Sequence, residues 1–183
     1  MALPPPAPEI APERLRRAFA TFATGIAVIG ARGADGALVG MTVNSFASVS
    51  LSPPLVMFCP ARSLGAFEVY RTARHFSASV LRQDSGAVSE RFARAGTGKW
   101  QGVKHRLGAG GAPLLEGALA TFECEVESRH AAGDHLIVVG RVRALEVAGN
   151  DEPLVFFRSH YRELAPLGGV EAAREPAFLA WGL

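Results

Sequence analysis

Between Gly40 and Cys59 the chain reads GMTVNSFASVSLSPPLVMFC, placing four serines, a threonine and an asparagine in a stretch otherwise as apolar as a buried strand. Small side chains let a backbone approach a flat ligand closely. Their hydroxyls and amides, with neighbouring N–H groups, can bond to its oxygens and ring nitrogens. Thr42, Val43, Asn44, Ser45, Ser48, Val49 and Ser50 are the residues so placed. By composition alone, the same pattern also describes a solvated edge strand. The other reactive side chains are less grouped. His75, His105, His130, His135 and His160 show no HxH or HExxH spacing, and Cys59 and Cys124 form no CxxC. No metal site is expected. Both cysteines sit in apolar strand-like segments and read as reduced, buried thiols.

Those residues must be carried by a largely β framework. Residues 3–8, LPPPAP, read as extended or disordered. A helix is expected from Pro12, with Glu13 in its first turn, an apolar stripe of Leu15, Phe19 and Phe22, and an end at Gly25. GIAVIGAR and ALVGMTV read as strands joined by the turn GADG at 33–36. RSLGAFEVYRTA reads as a short helix and HFSASVL as a strand. SGAVSERFARA reads as a second helix capped by Asp84 or Ser85. Residues 96–117, glycine-rich and containing Trp100, read as a long ordered loop. ALATFECEVESRHAA and HLIVVGRVRALEV are paired strands around a turn at Gly133–Asp134, and PLVFFRSHYREL is a last strand and polar turn. The tail FLAWGL is apolar enough to dock on the barrel or on a second subunit. Many antiparallel strands with few helices predict a closed β-barrel flanked by helices.

The chain has 183 residues, one domain's worth, with 49% hydrophobic and 20% charged. A net charge of +2 is too slight for a nucleic-acid footprint. No apolar run is long enough for a membrane span, and the first residues lack the pattern of a secretory signal.

The order of the residues is more specific than their composition. VGMTVNSFASVSLSPPLVMFC, followed by Ala61, Arg62 and Ser63, resembles the flavin reductase-like family with the FMN-binding split-barrel fold. In that family the stretch reads G-M-T-x-x-S-F-x-S-V-S-x-x-P-P-L, then an apolar strand and a polar turn. ERF at 90–92, GAPLLEGALATFECEV at 111–126, GDH at 133–135, GRV at 140–142 and HYREL at 160–164 follow in the family's order, so the likeness spans residues 15–164. Two departures stand out. Arg62 is followed by Ser63 and Leu64 where the family often has a hydroxyl pair. Ser159-His160-Tyr161 stands where Gly-Arg-Tyr is common.

The resemblance implies a mainly β fold, an antiparallel, Greek-key-like split β-barrel over residues 12–164, with a few flanking helices. Residues 1–11 would precede it, and residues 165–183 would dock on the barrel or a dimer partner. It implies an enzyme passing hydride from NADH or NADPH to FMN or FAD. The cofactor carries that chemistry, so no nucleophile or triad is needed. Thr42 to Ser45 and Ser48 to Ser50, Val49 included, would meet the flavin's polar edge. Ser48, Arg62 and Ser63, with Arg91 behind them, would meet phosphate. Cys59 and Phe92 would pack near the flavin. His135, Phe157 and Tyr161 would lie on the nicotinamide side. A homodimer, a cytoplasmic location and a flavin-dependent monooxygenase receiving reduced flavin are also implied. The rival readings are a flavoenzyme of the same fold acting on a specific small substrate, and a non-catalytic flavin-binding protein.

Overall fold

A computed structural model describes residues 10–149 and 151–165. Nearly all of the proline-rich start and the tail ending in FLAWGL lie outside them. The helices are α1 (Pro12–Phe19), α2 (Phe67–Thr72) and α3 (Gly86–Ala93). The strands are β1 (Thr24–Gly25), β2 (Ala27–Arg32), β3 (Leu38–Val43), β4 (Ala47–Leu51), β5 (Pro54–Phe58), β6 (His75–Val80), β7 (His105–Leu107), β8 (Pro113–Leu115), β9 (Ala120–Ala132), β10 (His135–Val147), β11 (Val155–Phe157) and β12 (His160–Arg162).

Seven strands form one antiparallel sheet in the order β3-β2-β6-β9-β10-β5-β4. β1, β11 and β12 form a small second sheet, and β7 and β8 a two-stranded ribbon. The order of the large sheet dictates its shape. Laid flat, its outer strands would stand about 29 Å apart, six spacings of roughly 4.8 Å. Yet β3 and β4 are those outer strands, and only Asn44, Ser45 and Phe46 join them. That link reaches at most about 14 Å. The sheet therefore curls until its two edges meet at the link. β3 and β4 are not hydrogen-bonded to each other, so the curl stops short of the closed barrel expected from strand count and leaves a seam.

Alternation along the strands fills both faces of the curl. On β2, Ala27, Ile29 and Ala31 join an inner cluster with Met41, Phe58 and Phe76, while Val28, with Ile26 just before the strand, joins an outer one with Leu81, Phe92 and Trp100. Tyr70 closes the inner cluster, its buried hydroxyl donating to the Ile29 carbonyl at 2.9 Å. Gly140 lets the Phe76 ring lie directly on β10, where a Cβ would come within 2.2 Å of a ring carbon.

Several local expectations are corrected. α1 stops at Phe19 rather than running to Gly25. Thr21 turns the chain by donating through both its N–H and its hydroxyl to Ala18, and Gly25 is drawn into β1 to pair with β11. Among the described residues, nothing covers Phe19 at its end or Phe22 just beyond it, which are 68% and 76% exposed. Ser85 occupies the N-cap of α3 without a side-chain capping bond, and the Asp84 carboxylate is held by Arg82. The loop expected over 96–117 contains the β7–β8 ribbon. The last strand is instead a hairpin, β11–β12. No helix among the described residues is long and apolar enough to cross a membrane.

Gly140→Ala should lower unfolding free energy by about 1–3 kcal/mol, because Phe76 cannot yield within a packed core. A denaturant midpoint that does not move would show that the ring has room to shift.

Candidate functional site

The seam opens into a cleft of about 310 Å³. One wall is the end of β3 and the link, through Thr42, Val43, Asn44 and Ser45. The opposite wall brings Cys59, Ala61 and His135, and Phe92 of α3 closes one side. Among the described residues β3 pairs only with β2, so its other backbone edge has no ladder partner among them.

The polar groups on the first wall are set by local bonds. The Thr42 hydroxyl donates to the Ser89 carbonyl at 2.6 Å, which leaves its lone pairs free to accept. The Ser45 hydroxyl oxygen accepts the Cys59 N–H at 3.0 Å, which leaves its own proton free to donate. The Asn44 side chain is exposed. Burial pushes the half-buried Cys59 thiol up, so it lines the cleft as a neutral group.

His135 arrives at the tip of the longest ribbon in the fold. β9 and β10 are joined by Gly133 and Asp134, with φ +58° at Gly133, as a two-residue hairpin turn favours. Three bonds tie this tip to the turn after β5. The Leu136 N–H donates to Pro60, and the Arg62 N–H donates to Asp134. Arg62 Nε donates to Gly133 at 3.1 Å. His135 Nδ1 lies 2.7 Å from Asp134 Oδ1. That bond, with the charge attraction, holds the Asp134 carboxyl below the usual carboxylate range. An ionised carboxylate only accepts, so Nδ1 carries the proton and Nε2 is the ring atom left for a ligand.

The remaining sequence-derived candidates are placed elsewhere. Ser63 and Arg62 are exposed beside the cleft, between Ala61 and Leu64, which line it. Ser48, Val49 and Ser50 run along β4 on the far side of the seam, outside the cleft lining, with a register shift between Ser48 and Ser50. Arg91 points its fork at the glycine-rich segment, Nε donating to Lys99 O at 2.7 Å and Nη2 to Gln101 O. Phe157 and Tyr161 sit on the β11–β12 hairpin and do not line the cleft. The Tyr161 hydroxyl donates to Ser89 Oγ at 2.9 Å. Among the described residues no cluster of His, Cys, Asp and Glu could hold a metal ion.

Sequence reasoning missed Lys99, Ser89 and the part played by Asp134. Lys99 Nζ donates to the carbonyls of Phe92 and Gly40 at 2.9 and 3.3 Å, and burial pushes its ammonium down. Nothing in GTGKW announces that role. Asp134 stood within the GDH turn, and its neighbour His135 was the available signal.

Residues 19–165 match the family described as flavin reductase like domain, and the chain belongs to that family. It is 43% identical over 142 residues to FMN reductase (NADH) SmoA of Agrobacterium fabrum, covering 77% of this chain and 79% of that protein. It is 34% identical over 157 residues to the reductase subunit HsaB of a flavin-dependent monooxygenase of Rhodococcus jostii, covering 86% and 80%. The fold superposes with TM-score 0.81 and 34% identity on the Streptomyces globisporus NADH:FAD oxidoreductase SgcE6 in complex with NAD and FAD fragments, covering 88% of this chain and 99% of that one. The fold is that of these reductases, mainly antiparallel β.

If the Arg91 fork serves to pin the 99–101 segment, Arg91→Lys should behave like Arg91→Ala. Both should speed hydrogen exchange and proteolysis there, because an ammonium lacks the planar fork that meets the Lys99 and Gln101 carbonyls. A loss of flavin affinity in Arg91→Ala that Arg91→Lys restores would return Arg91 to a phosphate role.

Proposed function

We propose that the chain is an NAD(P)H-dependent flavin reductase that takes FMN or FAD and supplies reduced flavin to a partner flavin-dependent monooxygenase. The observation that carries this reading is the seam cleft, with small hydroxyl and amide groups on one wall and an oriented imidazole on the other. It fits a flavin. The ring is flat and apolar, matched by Met41, Val43, Leu64 and Phe92. Its pyrimidine edge alternates acceptor, donor and acceptor, matched by the free Ser45 proton, the Thr42 lone pairs and the Asn44 amide. The volume is at the lower end of the ligand-pocket range and suits a ring system rather than a whole dinucleotide.

Bound flavin supplies the hydride acceptor. The chain's residues bind and orient. Thr42, Val43, Asn44 and Ser45 hold the ring edge, and Cys59 and Phe92 pack against it. Arg62 and Ser63 stand at the exposed end, where a phosphate would extend toward solvent. His135, fixed by Asp134, presents Nε2 to the nicotinamide.

The relatives named for FMN and for FAD support either flavin, and both name NADH. A relative that is a monooxygenase reductase subunit supports an oxygenase partner. We assign the flavin-binding domain to residues 12–164 and the protein to the cytoplasm, where nicotinamide nucleotides are available. A homodimer is supported by the apolar face of α1 that the described residues leave exposed, since burying one phenylalanine contributes about 1.5–3 kcal/mol.

NADH oxidation, followed by loss of nicotinamide absorbance, should depend on added FMN or FAD. Tightly bound flavin with no nicotinamide oxidation would overturn the reading in favour of a substrate-specific or binding-only protein. Within that assay, His135→Ala should raise the KM for the nicotinamide about three- to tenfold and the flavin KM less. Asp134→Asn should move it the same way by a smaller factor. An unchanged nicotinamide KM would remove His135 from the site.

A further inference from the structure

Ser89 is fully buried on α3, one turn before Phe92, and it is bonded on two sides. Its carbonyl accepts from the Thr42 hydroxyl at 2.6 Å, and its side-chain oxygen accepts from the Tyr161 hydroxyl at 2.9 Å. Thr42 lines the cleft; Tyr161 does not. The Tyr161 ring is 37% exposed and packs edge-on against Phe156, so only its hydroxyl turns inward.

The hairpin that delivers this hydroxyl is strained. Arg158 and Ser159, the two residues between β11 and β12, have φ of +50° and +63°. Two consecutive left-handed residues suit a two-residue turn, but they favour Asn-Gly over Arg-Ser. Such strain persists only where the surroundings over-determine it, and it collects at functional elements. Here the turn is held by the Arg158 N–H, which donates to Ala20 O at 2.8 Å, and by His160 Nδ1, 2.7 Å from Arg158 O.

We infer that Ser89 and Tyr161 are positioning residues for the flavin cleft. The β11–β12 hairpin braces α3 through the Tyr161–Ser89 bond, and α3 in turn sets Thr42 and Phe92 against the ring. This rests on the flavin-reductase reading and adds a role for residues that touch neither ligand. It assigns Tyr161 to the flavin side through Ser89, not to direct contact with nicotinamide.

The test measures the FMN dissociation constant by fluorescence quenching, the KM for NADH and the melting temperature. The proteins are the full chain, Tyr161→Phe, Ser89→Ala and the double variant. Ser89→Ala keeps the backbone carbonyl, so the Thr42 bond survives and only the brace is lost. A net hydrogen bond is worth a factor of roughly 2 to 13 in an equilibrium constant. Tyr161→Phe should therefore weaken FMN binding about three- to tenfold. The double variant should be no weaker than either single one, because both cut the same bond. A purely structural role would lower the melting temperature and leave FMN affinity unchanged, which overturns the inference. So would multiplying effects in the double variant, or a raised NADH KM with unchanged FMN affinity in Tyr161→Phe. If Ser89→Ala does not fold, the half-exposed Tyr161→Phe alone separates these outcomes by its FMN-against-NADH split. Failure of the unsubstituted chain to bind FMN would sink the functional reading itself, and the inference with it.

Discussion

The short link between the two outermost strands governs the rest of the molecule. Asn44, Ser45 and Phe46 cannot span an open seven-stranded sheet, so the sheet must curl. Curling needs strands that bend. The β9–β10 ribbon supplies them, with register shifts at Val139/Gly140 and Val142/Ala144. The two strands then divide their neighbours, β9 pairing with β6 over its first half and β10 with β5 over its first half. The same geometry brings the tip of the ribbon, and His135 with it, back to the turn after β5. The cleft is thus a by-product of connectivity. The chain crosses from one sheet edge to the other in three residues, of which Asn44 and Ser45 line the gap while Phe46 packs on the inner cluster.

Backbone carbonyls in turns, in the short helices and on β3 are met by cations. Arg62 binds Gly133 O, Arg91 binds Lys99 O and Gln101 O, and Lys99 binds Gly40 O and Phe92 O. Arg129 binds Tyr70 O and Ala73 O. Hydrogen bonds from charged donors contribute about 1.5–3 kcal/mol each, more than neutral ones. The carboxylate-paired arginines have a different setting. Arg141–Glu127 and Arg143–Glu125 cross β9 and β10 on the solvent side, where such pairs contribute little. Arg62 thus fastens the turn that carries His135, and Lys99 the end of α3 that carries Phe92.

This division explains what could be read from the sequence. The hairpins announced themselves through GADG and Gly133–Asp134, because left-handed turn positions select for glycine locally. Apolar strand-like runs beside turn signals found β2, β3, β6 and β10, and alternation found β9, since both are local properties. The structure brings Thr42, Val43, Asn44, Ser45, Cys59, Phe92 and His135 to one cleft. What failed was everything set by distant partners. An arginine on a helix looks the same whether it faces phosphate or a carbonyl eight residues away, as Arg91 does. Ser89 looked like any small helical residue, and its two bonds run to partners 47 and 72 positions off. α1 was legible as an amphipathic helix, but its apolar face has no cover within the described residues, which no periodicity could foretell.

That uncovered face bears on the cleft through a short path. Ala20, directly after α1, holds the strained hairpin by accepting the Arg158 N–H, and the hairpin holds Ser89 through Tyr161. Phe19 and Phe22, the most exposed large apolar side chains of the segment, flank that Ala20 bond on either side. Burying them would restrict the chain on both sides of the residue on which the hairpin turn hangs. Loosening Ala20 would let the left-handed pair at Arg158 and Ser159 relax, since such conformations are kept only by their surroundings. A second copy seated on α1 would therefore do two things with one surface. It would bury apolar side chains, and it would fix the end of a chain of bonds whose other end is the Thr42 hydroxyl in the cleft.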